Sequence, residues 1–169
     1  ANMRLRRREW LLLGAAGAGA LLAGCGFHLR GAFAFSFQSI YIAGDANSAV
    51  ANLLKRMLAS QVGVVTHAAD ADVVLTVLLD KTERSVSAFS ASAQVREVEL
   101  RQLFDFSLAD ARGVVLIENA QIRMSRFVSY SESEATAKEA EFELLFRDMR
   151  SDVVQQVQRR LAAARAAPN

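Results

Sequence analysis

Two stretches in the middle of the chain change character at every second residue, and a third is β-rich without a clear alternation. In QVREVELRQLFDFSLA (94–109), Val98, Leu100, Phe104, Phe106 and Leu108 fall on one side, and Glu97, Glu99, Arg101, Asp105 and Ser107 on the other. Gln102 and Leu103 break the rule. NAQIRMSRFVSYS (119–131) alternates in the same way, with Ala120, Ile122, Met124, Val128 and Tyr130 opposed to Gln121, Arg123, Ser125 and Ser129. ADVVLTVLLDKTERSVSA (71–88) is rich in β-branched residues and apolar on both faces at its start. A period of two predicts long, half-buried antiparallel strands. The stretch 109–113 reads as a hairpin turn and 85–93 as a looser one.

Two other segments repeat every three or four residues. Val50, Leu53, Leu54, Met57 and Leu58 predict a short amphipathic helix to about Gln61, entered from the turn GDAN (44–47) and stopped by Gly63. Phe142, Leu145, Phe146, Met149, Val153, Val157 and Leu161 predict a long helix over about 136–164. Thr136 and Glu139 have the spacing of a capping box at its start. With a strand at 37–43, the order becomes β-α-β-β-β-α. That predicts an α+β sandwich, a four-stranded, mainly antiparallel sheet with two helices packed on one face.

The uncovered face should be polar, and the parities make it mostly so. Each strand nevertheless assigns it one large apolar residue: Tyr41, Leu78, Leu103 and Phe127. Aligned across the sheet, the four would form an apolar patch, the usual mark of a partner surface. A bulge in any strand would shift its parity and scatter the row.

Ahead of these elements the pattern is different. Arg4, Arg6, Arg7 and Arg8 precede about a dozen apolar residues (11–22), too few for the ~20 that span a bilayer as a helix. Basic, apolar and then small-residue segments in that order predict an export signal over 1–24. Leu22-Ala23-Gly24-Cys25 resembles a bacterial lipobox, which implies acyl chains on Cys25, the only cysteine, and cleavage before it. Two or more chains make a stable anchor. The next residue is Gly26, not aspartate, so the retention mark of the inner membrane is missing and the outer membrane is the expected address. Residues 25–36 then form a lipidated tether, 37–164 a single domain and 165–169 a tail.

Removing the signal changes the electrostatics. The whole chain carries 20 Lys+Arg against 18 Asp+Glu; losing four arginines and Glu9 leaves 16 against 17. The basic excess belongs to the signal, so no nucleic-acid partner is implied. Candidate chemistry is sparse. His28 and His67 are the only histidines, and no metal-ligand or nucleophile motif is present, so neither an enzyme nor a metal or other cofactor is expected beyond the acyl chains. Glu97, Glu99 and Arg101 read as a solvated ladder of charge pairs.

The run CGFHLRG (25–31), the element order and the length together resemble the LptE family of lipopolysaccharide-transport lipoproteins. The resemblance implies a non-enzymatic plug in the lumen of an LptD β-barrel, which helps that barrel assemble and binds lipopolysaccharide on its way to the outer leaflet. The apolar row would then meet the barrel. A basic residue at the start of the last helix corresponds to Lys138. The family's second basic position falls at Ser90, with Arg84 and Arg96 the nearest cations. Lys138 has a plain alternative, pairing with Glu134 or Glu141. A lipoprotein adaptor auxiliary to another envelope complex is the competing function.

Overall fold

The computed structural model describes residues 33–164. The predicted signal, Cys25 and the tail lie outside them, as does most of the tether. The elements are β1 (Ser39–Ala43), α1 (Ala49–Leu58), β2 (Gly63–Val65), β3 (Val73–Phe89), β4 (Val95–Asp110), β5 (Val115–Ser129) and α2 (Ala135–Ala163), with one-turn 3-10 helices at Ala68–Asp70 and Glu132–Glu134.

The sheet has five strands in the order β2-β1-β3-β4-β5, which corrects the expected four. β1 runs parallel to both β2 and β3, whereas β3, β4 and β5 form an antiparallel meander. The extra strand is only three residues long, too short for any periodicity to announce it. The sheet is mixed because α1 lies between β1 and its neighbours, and a helical crossover returns the chain in the same direction. β2 and β5 are the two edges.

Both helices cover one face. Along β4 every even-numbered residue from Val98 to Asp110 is buried. Beneath them sit Ile40 and Ile42 of β1 and Val73 and Leu75 of β3. The α2 stripe is buried at Phe142, Phe146, Met149, Val153, Val157 and Leu161, as its spacing predicts. The buried apolar residues form two clusters. The larger joins β1, α1, the first turns of β3, Phe104–Leu108 of β4, Ala120 and Ile122 of β5, and Val153–Leu161 of α2. The smaller holds Val98, Leu100, Val128, Phe142, Phe146 and Met149.

The two helices start differently, and the start of α2 is not the one predicted. Ser48 caps α1, its Oγ accepting from Ala51 N at 3.0 Å. Glu134 occupies the cap position of α2 and makes no side-chain capping bond. The Thr136–Glu139 box does not form, because Glu139 is drawn across to Arg84 on β3.

Two details fix the geometry of the strands. Gly44 has φ +136°, and a Cβ there would lie 2.8 Å from Val77 Cβ, so only glycine lets the chain leave β1 this close to β3. At the next step β3 bulges: Val77 pairs with Phe106 and Leu79 with Asp105, leaving Leu78 as the inserted residue. At the opposite end of the domain's chain, Ser36 Oγ donates to the carbonyl of Ala164 at 2.9 Å.

Candidate functional site

The three cations singled out in the sequence lie toward the β3–β4 hairpin end, with Arg96 four residues along β4 from the partner of Arg84. Arg84 lies on the helix-facing side of β3, opposite Leu100. Its guanidinium donates to both Glu139 oxygens, at 2.8 and 3.0 Å, and lies 4.6 Å from the centre of the Phe142 ring. Tyr130 stacks on the same ring at 6.4 Å, and its backbone N–H donates to the carbonyl of Arg96. The side chain of Arg96 is solvated and makes no ion pair among the described residues. Lys138 donates to Glu141 at 2.7 Å, with only 15 % of its side chain exposed. Of its two candidate partners, Glu141 takes it. Glu139 and Glu141 thus occupy Arg84 and Lys138, whereas Arg96 is free of any such pair among the described residues. Ser90 sits in the hairpin turn, its Oγ accepting from Gln94 N.

The face away from the helices carries the charge ladder. Lys81 pairs with Glu83 at 2.8 Å, Arg101 with Glu99 at 2.9 Å, and Arg101 again with Glu83 at 3.7 Å. The hydrogen bond from Lys81 holds the Glu83 carboxyl below its ordinary range, and the one to Glu99 raises Arg101. Arg123 pairs with Asp105, which raises the Arg123 guanidinium through the same kind of bond.

The apolar row does not form as expected. Tyr41, Leu103 and Phe127 do point outward, each beside buried residues of the opposite parity, but they stand at different levels. Tyr41 pairs with Val74, Leu103 with Lys81, and Phe127 with Glu99, four residues along β4 from Leu103 and therefore ~13 Å away. Leu78, 52 % exposed, is the bulge residue and belongs to no row. Alternation fixes which face a residue takes; register fixes its neighbours, and register is not written in any one strand.

A different row does cross the sheet. Val65, Tyr41, Val74, Ala109 and Val115 pair in succession, one from each of the five strands, on the uncovered face. Tyr41 is the one residue it shares with the predicted set. Val65 lay in the unpredicted strand, so the sequence held no signal for this row.

A polar junction between sheet and helices was also missed. Gln102, fully buried on the helix side of β4, donates from Nε2 to Asp80 Oδ1 at 2.8 Å. The other Asp80 oxygen accepts from Ser48 Oγ at 2.6 Å and from Val50 N at 3.0 Å. The signal was present: Gln102 is the residue that broke the alternation.

No curated protein sequence matches the chain closely enough to count as a relative. Solved structures do resemble it. An uncharacterized lipoprotein B from Nitrosomonas europaea is 30% identical, with a TM-score of 0.71 over 82% of this chain and 91% of that one. The rare lipoprotein B of Shewanella oneidensis (24% identity, TM-score 0.64, 74% of this chain and 94% of that one) shares the fold. So does a minor lipoprotein from Acinetobacter baumannii (20%, 0.62, 80% and 100%). Residues 37–161, from the strand preceding α1 to the last buried residue of α2, match the family described as LptE, lipopolysaccharide-assembly. The chain therefore belongs to the LptE lipopolysaccharide-assembly family.

Proposed function

We propose that the protein is a non-enzymatic lipoprotein, held at the periplasmic side of the outer membrane by acyl chains on Cys25. In this reading it plugs and helps assemble an LptD-type β-barrel and binds lipopolysaccharide during its delivery. The observation that carries the proposal is the family match over nearly the whole folded domain. Two features of the surface support it. The row Val65–Tyr41–Val74–Ala109–Val115 offers an apolar band across an otherwise charged face, suited to the wall or loops of an enclosing barrel. Arg84, Arg96 and Lys138 all lie toward the hairpin end, where anionic phosphates could be met by charge-assisted hydrogen bonds.

Purification of the full chain from membranes tests the first part: a stoichiometric large β-barrel partner is expected, and another envelope complex in its place would favour the adaptor reading. For the second part, Lys138→Glu should weaken lipopolysaccharide binding and make what remains less sensitive to salt. Unchanged affinity in a direct binding assay would leave Lys138 as no more than the partner of Glu141.

A further inference from the structure

We propose that the hairpin end of the domain is a separate cooperative unit, in which Ala135–Met149 of α2 lifts from the sheet while the rest of the domain stays folded. The core is divided at one level. On β4 the buried residues run Leu100, Gln102, Phe104, the first in the smaller cluster and the last in the larger. Gln102 pairs across the sheet with Thr82 and Met124, and Asp80 stands one step along beside Phe104. A cavity of about 360 Å³ reaches this level from solvent, lined among others by Ser48, Asp80, Thr82 and Arg150 of α2. Gln102 Oε1 has no hydrogen-bond donor among the described residues. Apolar contact is thus interrupted where α2 passes from Met149 to Val153, and Met124, itself only partly buried, is the side chain that touches both clusters.

The unit beyond this layer is weakly held. Six buried residues form its core, while β1 and α1 contribute only to the larger cluster. The helix that closes it begins without a side-chain cap and with no acidic residue in its first turn. Lys138 near that end opposes the macrodipole. The clamp between Arg84 and Glu139 is half exposed (41 % and 57 %), the setting in which ion pairs contribute least. Local opening follows such boundaries of contact density. Opening here would bare Val98, Leu100, Val128, Phe142, Phe146 and Met149 between three cations, without disturbing β1, α1 or the outer face.

Residue-resolved hydrogen exchange on the full chain decides the matter. Amides of Phe142–Met149 should exchange at least about a hundredfold faster than those of Val153–Leu161, and as one group with a common denaturant dependence. Phe146→Ala should accelerate the first group by about thirtyfold and leave the second unchanged. Arg84→Ala, a change at a half-exposed side chain, should do the same to a smaller degree. Equal protection along the whole of α2, or acceleration of both groups alike in either variant, would overturn the proposal.

Discussion

Asp80→Ala should destabilise the domain by about 3 kcal/mol. The carboxylate receives three hydrogen bonds, from Ser48 Oγ, Val50 N and Gln102 Nε2. Bonds to a charged acceptor contribute ~1.5–3 kcal/mol each, but the three losses are unequal. Ser48 lines the cavity that opens to solvent, so water can replace the carboxylate at its hydroxyl. Gln102 Nε2 keeps weaker contacts with the carbonyls of Lys81 and Leu103 at 3.3 Å. Only Val50 N, on a fully buried residue and left without an acceptor, bears the full penalty. Asp80→Asn retains an acceptor for Ser48 and Val50 while setting an amide against an amide at Gln102, so it should cost about half as much. Urea unfolding followed by circular dichroism gives both values, provided the slope is unchanged. A cycle with Gln102→Met should return a coupling of about 1 kcal/mol. If Asp80→Ala shifts stability by less than about 1 kcal/mol, or the coupling vanishes, the junction does not join sheet to helix in the way described.

The Asp72 carboxylate is held below its ordinary value of 3.8 by the backbone N–H groups of Gln38 and Ser39, at 2.8 and 2.9 Å. A depressed folded-state value stabilises above 3.8 and is lost as pH falls through the lowered one, so Asp72→Asn should be less stable than the parent at pH 7 and converge with it in acid; a constant gap across an acid titration would exclude this. Gly44→Ala combines a positive φ with a 2.8 Å approach to Val77 and should cost about 2–4 kcal/mol; a thermal midpoint equal to the parent's would contradict the close passage. Cys25→Ser should leave the protein uncleaved or unanchored, read by its size and fractionation, while the domain keeps its cooperative thermal transition, because all the core residues identified above lie at Phe37 or beyond; loss of that transition would show that Cys25 supports the fold itself.

The parts of the fold that single segments encode were legible. Val98 through Leu108 declared β4's buried face, and Phe142 through Leu161 declared the stripe of α2, because one-sided burial imposes a period on the segment that undergoes it. Properties shared between segments were not. Nothing in Val64 and Val65 tells them from loop residues until β1 is beside them. The bulge at Leu78 arises where Gly44 brings β1 against Val77, a contact between residues 33 positions apart. The same holds for the site. Lys138 and Glu141 are helical neighbours and could be paired on paper, whereas Glu139 looked like a cap and serves Arg84 across the domain. Gln102 was conspicuous, but its partner Asp80 sits in a strand whose charged residues otherwise read as solvent-facing.

The contact between Ser36 and Ala164 closes the domain into a ring. In a ring the position of the break is a matter of convenience, and the β3–β4 turn at Ser90–Gln94 offers another place to make it, spanning small and largely exposed residues at the far end of the sheet. A circular permutant joined from Ala164 to Ser36 and opened there would retain every strand pairing of the meander while separating β3 from β4 in the chain. The β3–β4 hairpin would no longer be a local contact, whereas the β4–β5 hairpin would remain one. The native order permits the β3–β4 hairpin to form early and makes the closing contact wait for residue 164, so the ring is complete only after the final turn of α2 has been made.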